Sequence, residues 1–416
     1  MVSVRETDVL VVGAGPAGAA AAIRLRRQGI GVVVLEKASF PRHKICGDFL
    51  TPGAVEALRE LAPGDLVNAA PGRLAGMRIT YAGREVLADY SSPHEGWSLS
   101  RSDLDTRLAS AAVRAGAEVL HGVRVIRCTR RPDSSLLVDA AGPDGSSPAW
   151  RARLVVDAGG RHSPLAGSLA WRAGDPRLVR HAIWSHMEGV RGLGARGEMH
   201  VFDGGYVGVA PLGPERAANV TMVLAPWRWE AARRDPRAYA ITVLREHPEL
   251  GIRLRGARAV TPMRGLGPLA CRSATMGRDG IALVGDAGGF VDPFTGEGIF
   301  VAVSGASILA GALEAHGLES PEALRAYGRE HRRMFATKFR LCRLLQLVIA
   351  RPWLARAVAR GLARRRDLAD RLVAATGDVA PPGSVLSPAW LAALARAALM
   401  ESAGTAPAAR PRQVPR

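Results

Sequence analysis

The stretch DVLVVGAGPAGAAAAIRLRRQGIGVVVLE, residues 8–36, decides the fold. Residues 8–12 form a short apolar run that ends at a glycine, which predicts a buried strand. Residues 19–28 are rich in alanine and end at Gly29, which predicts a helix with a glycine cap. Residues 31–35 are a second apolar run. The stretch therefore predicts a complete strand–helix–strand unit and, with it, a parallel sheet.

The turn between the first strand and the helix has the pattern G-x-G-x-x-G. Gly13 permits a sharp turn, Gly15 lets a pyrophosphate approach the backbone, and Gly18 lets the helix and strand pack closely. The free N–H groups at the helix N-terminus favour phosphate. Glu36, which ends the second strand, can accept hydrogen bonds from a ribose diol and would repel a 2′-phosphate. The turn therefore predicts a site for FAD or NAD. Its further predicted contacts are Ala14 and Lys37.

Two later segments favour FAD over NAD. Residues 153–158 contain Asp157, and the strand predicted at residues 280–284 is followed by Gly285 and Asp286. An aspartate at this place can hold the hydroxyls of a ribityl chain, which a plain NAD dehydrogenase does not need. For Asp286 the alternative role is an ordinary helix N-cap.

A third segment, PFTGEGI at residues 293–299, opens a predicted helix. Free backbone N–H groups at that helix start can stabilise negative charge on a reduced flavin ring. The predicted cofactor contacts in this segment are Gly296, Gly298 and Ile299.

Together these motifs resemble the FAD-dependent flavoprotein monooxygenase superfamily, whose members carry G-x-G-x-x-G, D-G and G-D segments in this order. Within it, PRHKICG at residues 41–47 is similar to the P-x-x-K-x-C-G signature of the geranylgeranyl reductase family. The resemblance implies that FAD is contacted by Gly13, Gly15, Gly18, Glu36, Arg101 and Asp286, and by a backbone group at Val125. Arg101 would neutralise the pyrophosphate, with a solvated surface arginine as the alternative.

The resemblance also implies roles for the P-x-x-K-x-C-G residues. Cys46 would lie near the flavin and substrate and tune the flavin or deliver a proton, helped by Lys44 or His43. The alternative is that Cys46 is a small buried residue and that Lys44 binds phosphate.

One strand departs from the family pattern. The reductases carry a Y-x-W-x-F-P strand that faces the flavin, and the matching segment here is YVGVAP, residues 206–211. Tyr206 is retained and is a candidate catalytic residue. Gly208 and Ala210 replace the two aromatic residues, which leaves room for a bulkier substrate such as a ring system.

Two enzymatic functions follow from these motifs. In the first, FAD takes hydride from transiently bound NADPH or NADH, and an alkene of an apolar isoprenoid or natural product is reduced. In the second, the enzyme is a monooxygenase that hydroxylates or epoxidises an apolar or aromatic substrate. A flavin halogenase is less favoured, because W-x-W-x-I-P is absent and we interpret Trp227 and Trp229 as packing residues. The complete flavin motif set disfavours a non-catalytic binder of prenylated proteins.

The order of the predicted elements indicates an α/β fold with three parts. The resemblance implies that the first is a Rossmann-like FAD-binding domain of the p-hydroxybenzoate hydroxylase type, and it is joined to an antiparallel-sheet substrate domain and a helical C-terminal region. The expected bounds are 1–70, 97–175 and 263–320 for the first, 71–96 and 176–262 for the second, and 321–400 for the third, followed by a disordered tail at 401–416.

Charge and cysteine content limit the other function classes. The 416 residues carry 56 Lys and Arg against 38 Asp and Glu, a formal net charge of +18. No basic stripe is interleaved with aromatic residues, so we expect no nucleic-acid partner. The four cysteines lie far apart, which disfavours a zinc site or a disulfide framework and predicts a cytoplasmic location.

The region at residues 329–366 combines many arginines with leucines at helical spacing. Such a pattern is compatible with peripheral contact to an anionic membrane. An arginine-faced helix that packs on the domain is the favoured alternative. The apolar stretch 301–313 is too short to span a bilayer. The sequence carries no prediction of the oligomeric state.

Overall fold

The computed structural model describes residues 4–62, 64, 72–213 and 216–400. The predicted tail at 401–416 lies outside the described residues. The strands are β1 Val4–Val12, β2 Val32–Glu36, β3 Phe49–Leu50, β4 Gly72–Leu74, β5 Gly76–Tyr81, β6 Arg84–Asp89, β7 Gly96–Ser98, β8 Glu118–His121, β9 Arg124–Arg130, β10 Leu136–Ala141, β11 Ala149–Asp157, β12 Arg172–Gly174, β13 His181–Glu188, β14 Arg196–Phe202, β15 Gly205–Pro211, β16 Ala218–Leu224, β17 Arg258–Ala259, β18 Arg264–Leu266, β19 Cys271–Ser273, β20 Gly277–Arg278, β21 Ile281–Leu283 and β22 Gly289–Phe290.

The helices lie between and after these strands. They are α1 Pro16–Arg27, α2 Pro52–Leu61, α3 Arg101–Arg114, α4 Pro164–Ser168, α5 Pro226–Ala232, α6 Pro236–Glu246, α7 Leu250–Arg253, α8 Gly298–His316, α9 Pro321–Ile349, α10 Pro352–Arg364, α11 Arg366–Thr376 and α12 Pro388–Leu399.

The first sheet is built around the predicted strand–helix–strand unit, and its strand order is β20-β21-β11-β1-β2-β8. The pairs β1·β11, β1·β2, β2·β8 and β11·β21 are parallel. β10 joins β11 and β9 in antiparallel fashion at one side. The predicted parallel sheet is confirmed. α1 begins at Pro16, three residues before the predicted start, because the fixed φ of proline suits the first helical position.

The second sheet has the order β17-β13-β16-β15-β14-β5-β6, with β18 also paired to β13. The predicted antiparallel arrangement holds for most pairs, but β5 and β14 run parallel. Those two strands are far apart in sequence and arrive from different segments, so no hairpin fixes their relative direction. The structure also has two separate three-stranded sheets, β3-β7-β4 and β12-β19-β22.

Helix α8 lies in the hydrophobic core that covers the first sheet. Its side chains Val303 and Leu309 are fully buried and belong to the same cluster as the alanines of α1. By length and composition α8 is long and apolar enough to cross a membrane, and it extends beyond the apolar stretch considered above. Half of the apolar window is buried inside the protein, so core packing accounts for its composition.

The C-terminal region is helical, as the sequence predicts, and consists of α9 to α12. Pro352 interrupts the helical structure as expected, because α9 ends at Ile349 and the proline is the first residue of α10. Residues of α10 and α11 pack on β5 and β6 of the second sheet in one apolar cluster with Trp390. This region therefore lies against the sheet that lines the cavity described below.

Candidate functional site

The turn between β1 and α1 uses its three glycines in three different ways. Gly13 has φ +93°, and a Cβ there would lie 2.8 Å from the carbonyl oxygen of Ala158. A Cβ on Gly18 would lie 1.8 Å from the carbonyl oxygen of Gly13, so this residue permits the contact between helix and turn. A Cβ on Gly15 would meet only guanidinium nitrogens, at 3.7 Å from Arg101. The backbone at Gly15 is therefore open on the side that faces the guanidinium groups of Arg101 and Arg42.

Glu36 ends β2 and is 4% exposed. Its carboxylate accepts hydrogen bonds from the N–H groups of Ala14 at 2.9 Å and Ala38 at 3.0 Å. A nitrogen of Arg42 lies 3.6 Å away. Because each carboxylate oxygen can accept two hydrogen bonds, Glu36 can still receive a ribose hydroxyl.

Arg101 opens α3 and is buried, so the alternative of a solvated surface arginine is wrong. Its guanidinium makes two 2.8 Å hydrogen bonds to Asp105, and its backbone N–H donates to Asp48 at 3.0 Å. Arg42 pairs with the same Asp105 at 3.0 Å. Two guanidinium groups thus share one carboxylate near Gly15, and both lie beside the N-terminus of α1.

One large cavity of about 890 Å³ joins most of the predicted site residues. Its wall includes Gly13, Gly15, Glu36, Lys37, Lys44, Cys46, Arg101, Val125, Tyr206, Gly285, Asp286, Gly296, Gly298 and Ile299. Ala14 and Gly18 are not among the wall residues, because Ala14 donates to Glu36 and Gly18 packs against the turn.

Asp157 does not line this cavity, contrary to the predicted ribityl contact. Its side chain is fully buried, accepts the N–H of Gly159 at 2.9 Å and pairs with the hydroxyl of Ser163. It also accepts the N–H of Ala166 at 3.3 Å. The carboxylate therefore holds the turn after β11 and supports the cavity wall from behind.

Asp286 lies in the 3₁₀ turn Gly285–Ala287 that follows β21. The N-cap position of that turn is Val284 and not Asp286, so the alternative role of an ordinary N-cap is not seen. Gly296 has φ +69°, and a Cβ there would lie 2.7 Å from Phe49. No side chain caps the start of α8, so its first N–H groups are free to face the cavity.

The part of the cavity away from the glycine turn is largely apolar, although Glu198, Thr221 and Arg264 of the second sheet also belong to the cavity wall. Its wall includes Phe49, Met77, Ile79, Met199, Leu345 and Leu372, which come from the second sheet, from α9 and α11, and from the β3 strand. Gly208 and Ala210 of β15 also line it. A Cβ on Gly208 would make only ordinary contacts, the nearest at 3.5 Å from the sulfur of Met199. The small residue therefore leaves space in the cavity that a larger side chain would fill.

Tyr206 contributes its ring to the wall, but its hydroxyl already has a partner. The O–H donates to Asp292 at 2.6 Å, and Gln346 donates to the same carboxylate oxygen at 2.7 Å. Burial and the negative Asp292 raise the pKa of Tyr206 well above its usual value. Tyr206 is therefore a structural wall residue in this geometry, and it does not serve as a proton donor to a ligand.

Cys46 and Lys44 both line the cavity. Burial raises the pKa of the Cys46 thiol, and the neighbouring Arg101 only partly opposes this. Burial and the charge of Arg101 lower the pKa of Lys44. The thiol is therefore protonated at neutral pH, which suits a proton donor and not a nucleophile.

A network of polar side chains lies behind Cys46, and none of the sequence motifs predicts it. Asn219 donates to the carbonyl oxygen of Cys46 and to Asp48, both at 2.7 Å. His186 contacts the same Asp48 oxygen at 2.6 Å. Asp48 has φ +51° and is 1% exposed. Side chains of β13 and β16 thus fix the Cys46 loop, and only the tertiary structure brings them together.

Helix α9 has both a packed and an exposed face. Leu341 and Ile349 are buried and Leu345 lines the cavity, whereas Leu344 and Leu347 are 37% and 47% exposed. The buried face accounts for part of the leucine pattern by packing. Contact of the exposed face with a membrane stays a prediction.

Within the described residues, one group of side chains has the spacing of a metal site: Glu198, His200 and Glu249. Arg253 donates to both oxygens of Glu198, at 2.6 and 2.8 Å, and Arg78 pairs with Glu249 at 2.9 Å. Burial opposes ionisation of Glu198, but Arg253 and His200 outweigh it and hold its pKa at about 2. The arginines therefore already neutralise these carboxylates.

Comparison with protein families gives a match to the FAD binding domain model over residues 6–340. The chain belongs to the FAD binding domain family. It is 32% identical over 366 residues to a menaquinone reductase of Mycolicibacterium smegmatis, which covers 83% of this chain and 85% of that one. It is 29% identical over 336 residues to a flavin-dependent halogenase of Armillaria mellea, which covers 72% of this chain and 65% of that one.

The fold of this flavoprotein also matches a solved structure. A flavoprotein/dehydrogenase of Cytophaga hutchinsonii superposes with a TM-score of 0.84 at 20% identity, covering 95% of this chain and 99% of that one. The protein is an FAD-dependent oxidoreductase. Membership of the wider FAD-dependent flavoprotein superfamily is confirmed. These relatives are a menaquinone reductase and a halogenase, so they do not point specifically to the geranylgeranyl reductase family.

The residues of the cavity fit FAD. The open backbone at Gly15 and the uncapped N-terminus of α1 suit a pyrophosphate, which Arg101 and Arg42 can neutralise. The Nε atom of Arg42 is buried and has no hydrogen-bond partner within the part of the chain that the structure describes. Glu36 suits a ribose, and the uncapped start of α8 suits the electron-rich edge of a flavin ring.

Proposed function

We propose that the protein is a reductase that uses NADPH or NADH to reduce an alkene of an isoprenoid lipid, with isoprenoid quinones as the first substrates to test. Bound FAD supplies the two-electron chemistry, because it accepts a hydride from the nicotinamide and can pass one on. The observation that carries the proposal is the single cavity that runs from the glycine turn to an apolar wall.

Three further observations support this substrate class. The menaquinone reductase relative is named for an isoprenoid quinone, which combines a ring with an alkene-rich chain. The PRHKICG segment resembles the reductase signature, and its cysteine lines the cavity. The apolar wall can bury a hydrocarbon chain, at roughly 0.8 kcal/mol for each buried CH₂ group.

Cys46 has the place and the protonation state of a proton donor to the substrate. Reduction of an alkene adds a hydride to one carbon and a proton to the other, so a neutral acid beside the apolar wall is needed. The carbonyl of Cys46 is held by Asn219, which fixes the loop and orients the thiol. Lys44, with its lowered pKa, can return a proton to this region after turnover.

A Cys46→Ala variant is expected to lose on the order of 10- to 100-fold in the rate of substrate reduction, because water replaces only part of the effect of a positioned acid. Reduction of the enzyme by NADPH should be unchanged, so stopped-flow measurement of the two half-reactions separates the roles. Cys128→Ala, which removes a thiol that does not line the cavity, is the matched control. Equal slowing of both half-reactions would show that Cys46 is structural.

A Gly208→Trp variant is expected to fill the apolar part of the cavity. The Cβ itself fits, and the indole would extend into space that the glycine leaves open. FAD content should stay the same, while kcat/KM for an isoprenoid quinone should fall by about tenfold or more, because the quinone ring needs the space that Gly208 leaves and that the tryptophan of the reductase pattern would fill. Gly208→Ala is the control and should behave like the natural protein. Unchanged kcat/KM in the tryptophan variant would show that the substrate does not bind against the part of the cavity wall formed by Gly208.

A monooxygenase is the second candidate, and the small residues Gly208 and Ala210 favour it because they admit a ring system. The halogenase relative supports a third function less strongly. Trp229 stacks on His181 with ring centroids 4.5 Å apart, as expected for packing, whereas Trp227 is 58% exposed and packs against Arg228 at the surface. Neither tryptophan lines the cavity, so they supply no wall to a substrate there.

A single-turnover experiment without oxygen tests the proposal. The FAD-loaded protein is reduced with one equivalent of NADPH, freed from nicotinamide and mixed with an unsaturated isoprenoid hydroquinone, whose reduced ring accepts no electrons, or with its fully saturated analogue. The reductase proposal expects the visible flavin absorbance to return with the unsaturated isoprenoid and to return more slowly with the saturated one. Absorbance that returns only after air is admitted would favour the monooxygenase.

A further inference from the structure

A buried ionic cluster lies directly behind the cofactor loop. Gly296 and Gly298 line the cavity, but Glu297 between them is 4% exposed and is absent from the cavity wall. Its carboxylate lies 3.3 Å from the ammonium group of Lys338 on α9. The same ammonium pairs with Asp378, which follows α11. All three groups are buried, so solvent does not screen them.

The charges of this cluster do not balance. Two carboxylates share one ammonium group, so full ionisation leaves one net negative charge inside the protein. Asp378 is well satisfied, because Thr51 donates to its second oxygen at 2.7 Å. Among the described residues, one oxygen of Glu297 has no hydrogen-bond partner, although it lies 3.3 Å from the Lys338 ammonium. Glu297 is therefore the member of the cluster that most readily carries a proton.

In the described part of the chain, Arg180 is the other cation close to these groups, and it acts on Asp292 and not on Glu297 or Asp378. Cys342 of α9 and Asp292 at the start of the loop are buried, and burial raises the pKa of both. Tyr90 lies near Asp378, and burial likewise raises its pKa. Burial also raises the pKa of Glu297 to about 7, and Lys338 opposes this only in part. Near neutral pH the cluster is thus poised between a net charge of zero and minus one.

We propose that Glu297 binds a proton when FAD at this site is reduced, so that the cluster compensates the negative charge that appears beside the start of α8. The balanced change is two electrons and one proton at the flavin ring, and one further proton, taken from solvent, on a Glu297 oxygen. Negative charge at the ring raises the affinity of the nearby carboxylate for that proton. The inference rests on the FAD site alone and does not require the proposed substrate.

The test is a count of protons taken up on reduction of the FAD-loaded protein. Electrochemical reduction in weak buffer at pH 8, with a redox mediator that takes up no protons and with an indicator dye, should consume close to two protons per FAD in the natural protein and one in Glu297→Gln. Glu314→Gln, on the exposed end of the same helix, is the matched control and should consume two. The midpoint potential should fall by about 60 mV per pH unit above pH 7 in the natural protein and by about 30 mV in Glu297→Gln, since each proton of a two-electron couple contributes about 30 mV.

A second variant keeps the inference testable if Glu297→Gln does not bind FAD. Asp378→Asn leaves Lys338 paired with Glu297 alone, which favours the ionised glutamate, so the onset of the second proton should move to lower pH. Equal proton counts in the natural protein and both variants would overturn the proposal. Because no substrate is present, that result would leave the reductase function untouched.

Discussion

A Gly15→Val variant is expected to fold normally and to lose FAD. The residue has φ −71° and ψ −177°, an extended conformation that valine favours, and its Cβ would meet no atom closer than 3.7 Å. The branched side chain would instead occupy the approach to the α1 N-terminus. Loss of two charge-assisted hydrogen bonds, at about 1.5–3 kcal/mol each, weakens binding by on the order of 10²- to 10⁴-fold.

Titration of the apo-protein with FAD, followed by flavin fluorescence, measures this loss, and circular dichroism of the apo-protein checks the fold. Gly167→Val is the matched control, because a Cβ there has no neighbour within 4 Å and the residue lies outside the cavity wall. FAD affinity within about threefold of the natural protein in Gly15→Val would contradict the placement of the pyrophosphate, since that is far less than one lost charge-assisted bond.

A Lys338→Met variant is expected to be destabilised by about 3–5 kcal/mol, the typical cost of leaving buried charge without its partner. The lysine is 3% exposed and is the only cation bonded to both Glu297 and Asp378 in the described part of the chain. The measurement is urea unfolding at fixed FAD concentration, which keeps the contribution of the cofactor constant. Arg333→Met, an exposed position on the same helix, should change stability by less than about 0.5 kcal/mol.

The destabilisation of Lys338→Met should depend on pH. Burial raises the pKa of Glu297 and of Asp378 above their unfolded values, and loss of the ammonium raises both further. A carboxyl group with a raised folded pKa contributes stability below its unfolded pKa and loses it as pH rises. The deficit of the variant should therefore grow between pH 5 and pH 8. A deficit that does not change with pH would show that lost packing, and not charge, is responsible.

The cofactor half of the molecule could be predicted from the sequence because its signals are local. The strand, turn and helix at residues 8–36 are fixed by apolar runs and glycines that lie next to one another in the chain. Arg101 is the first residue of its own helix, and the free N–H groups at the start of α8 follow from a glycine-rich turn. The prediction that Asp157 lines the cavity is wrong. The sequence locates the end of a strand but not the direction of a side chain, and the Asp157 carboxylate bonds to the Gly159 N–H behind the wall.

The substrate half could be predicted only in outline, because its walls come from distant segments. The parallel pair β5·β14 joins residues 120 positions apart, which no alternation pattern reveals. The network that fixes Cys46 depends on Asp48, His186 and Asn219, which meet only in the folded chain. In the sequence, Lys338 cannot be distinguished from the exposed cations of an arginine-rich helix. Its burial against two carboxylates is seen only in the tertiary structure.

Product analysis after anaerobic turnover tests the central claim most directly. The FAD-loaded protein is incubated with NADPH or NADH and an unsaturated isoprenoid quinone, the product is re-oxidised in air, and its mass is measured. Air restores a reduced quinone ring but not a saturated chain. We expect a product that gains two hydrogens in the isoprenoid chain, and that gain should be lost with Gly208→Trp. A product of unchanged mass, or one that gains an oxygen atom when turnover is run in air, would contradict the assignment as an alkene reductase.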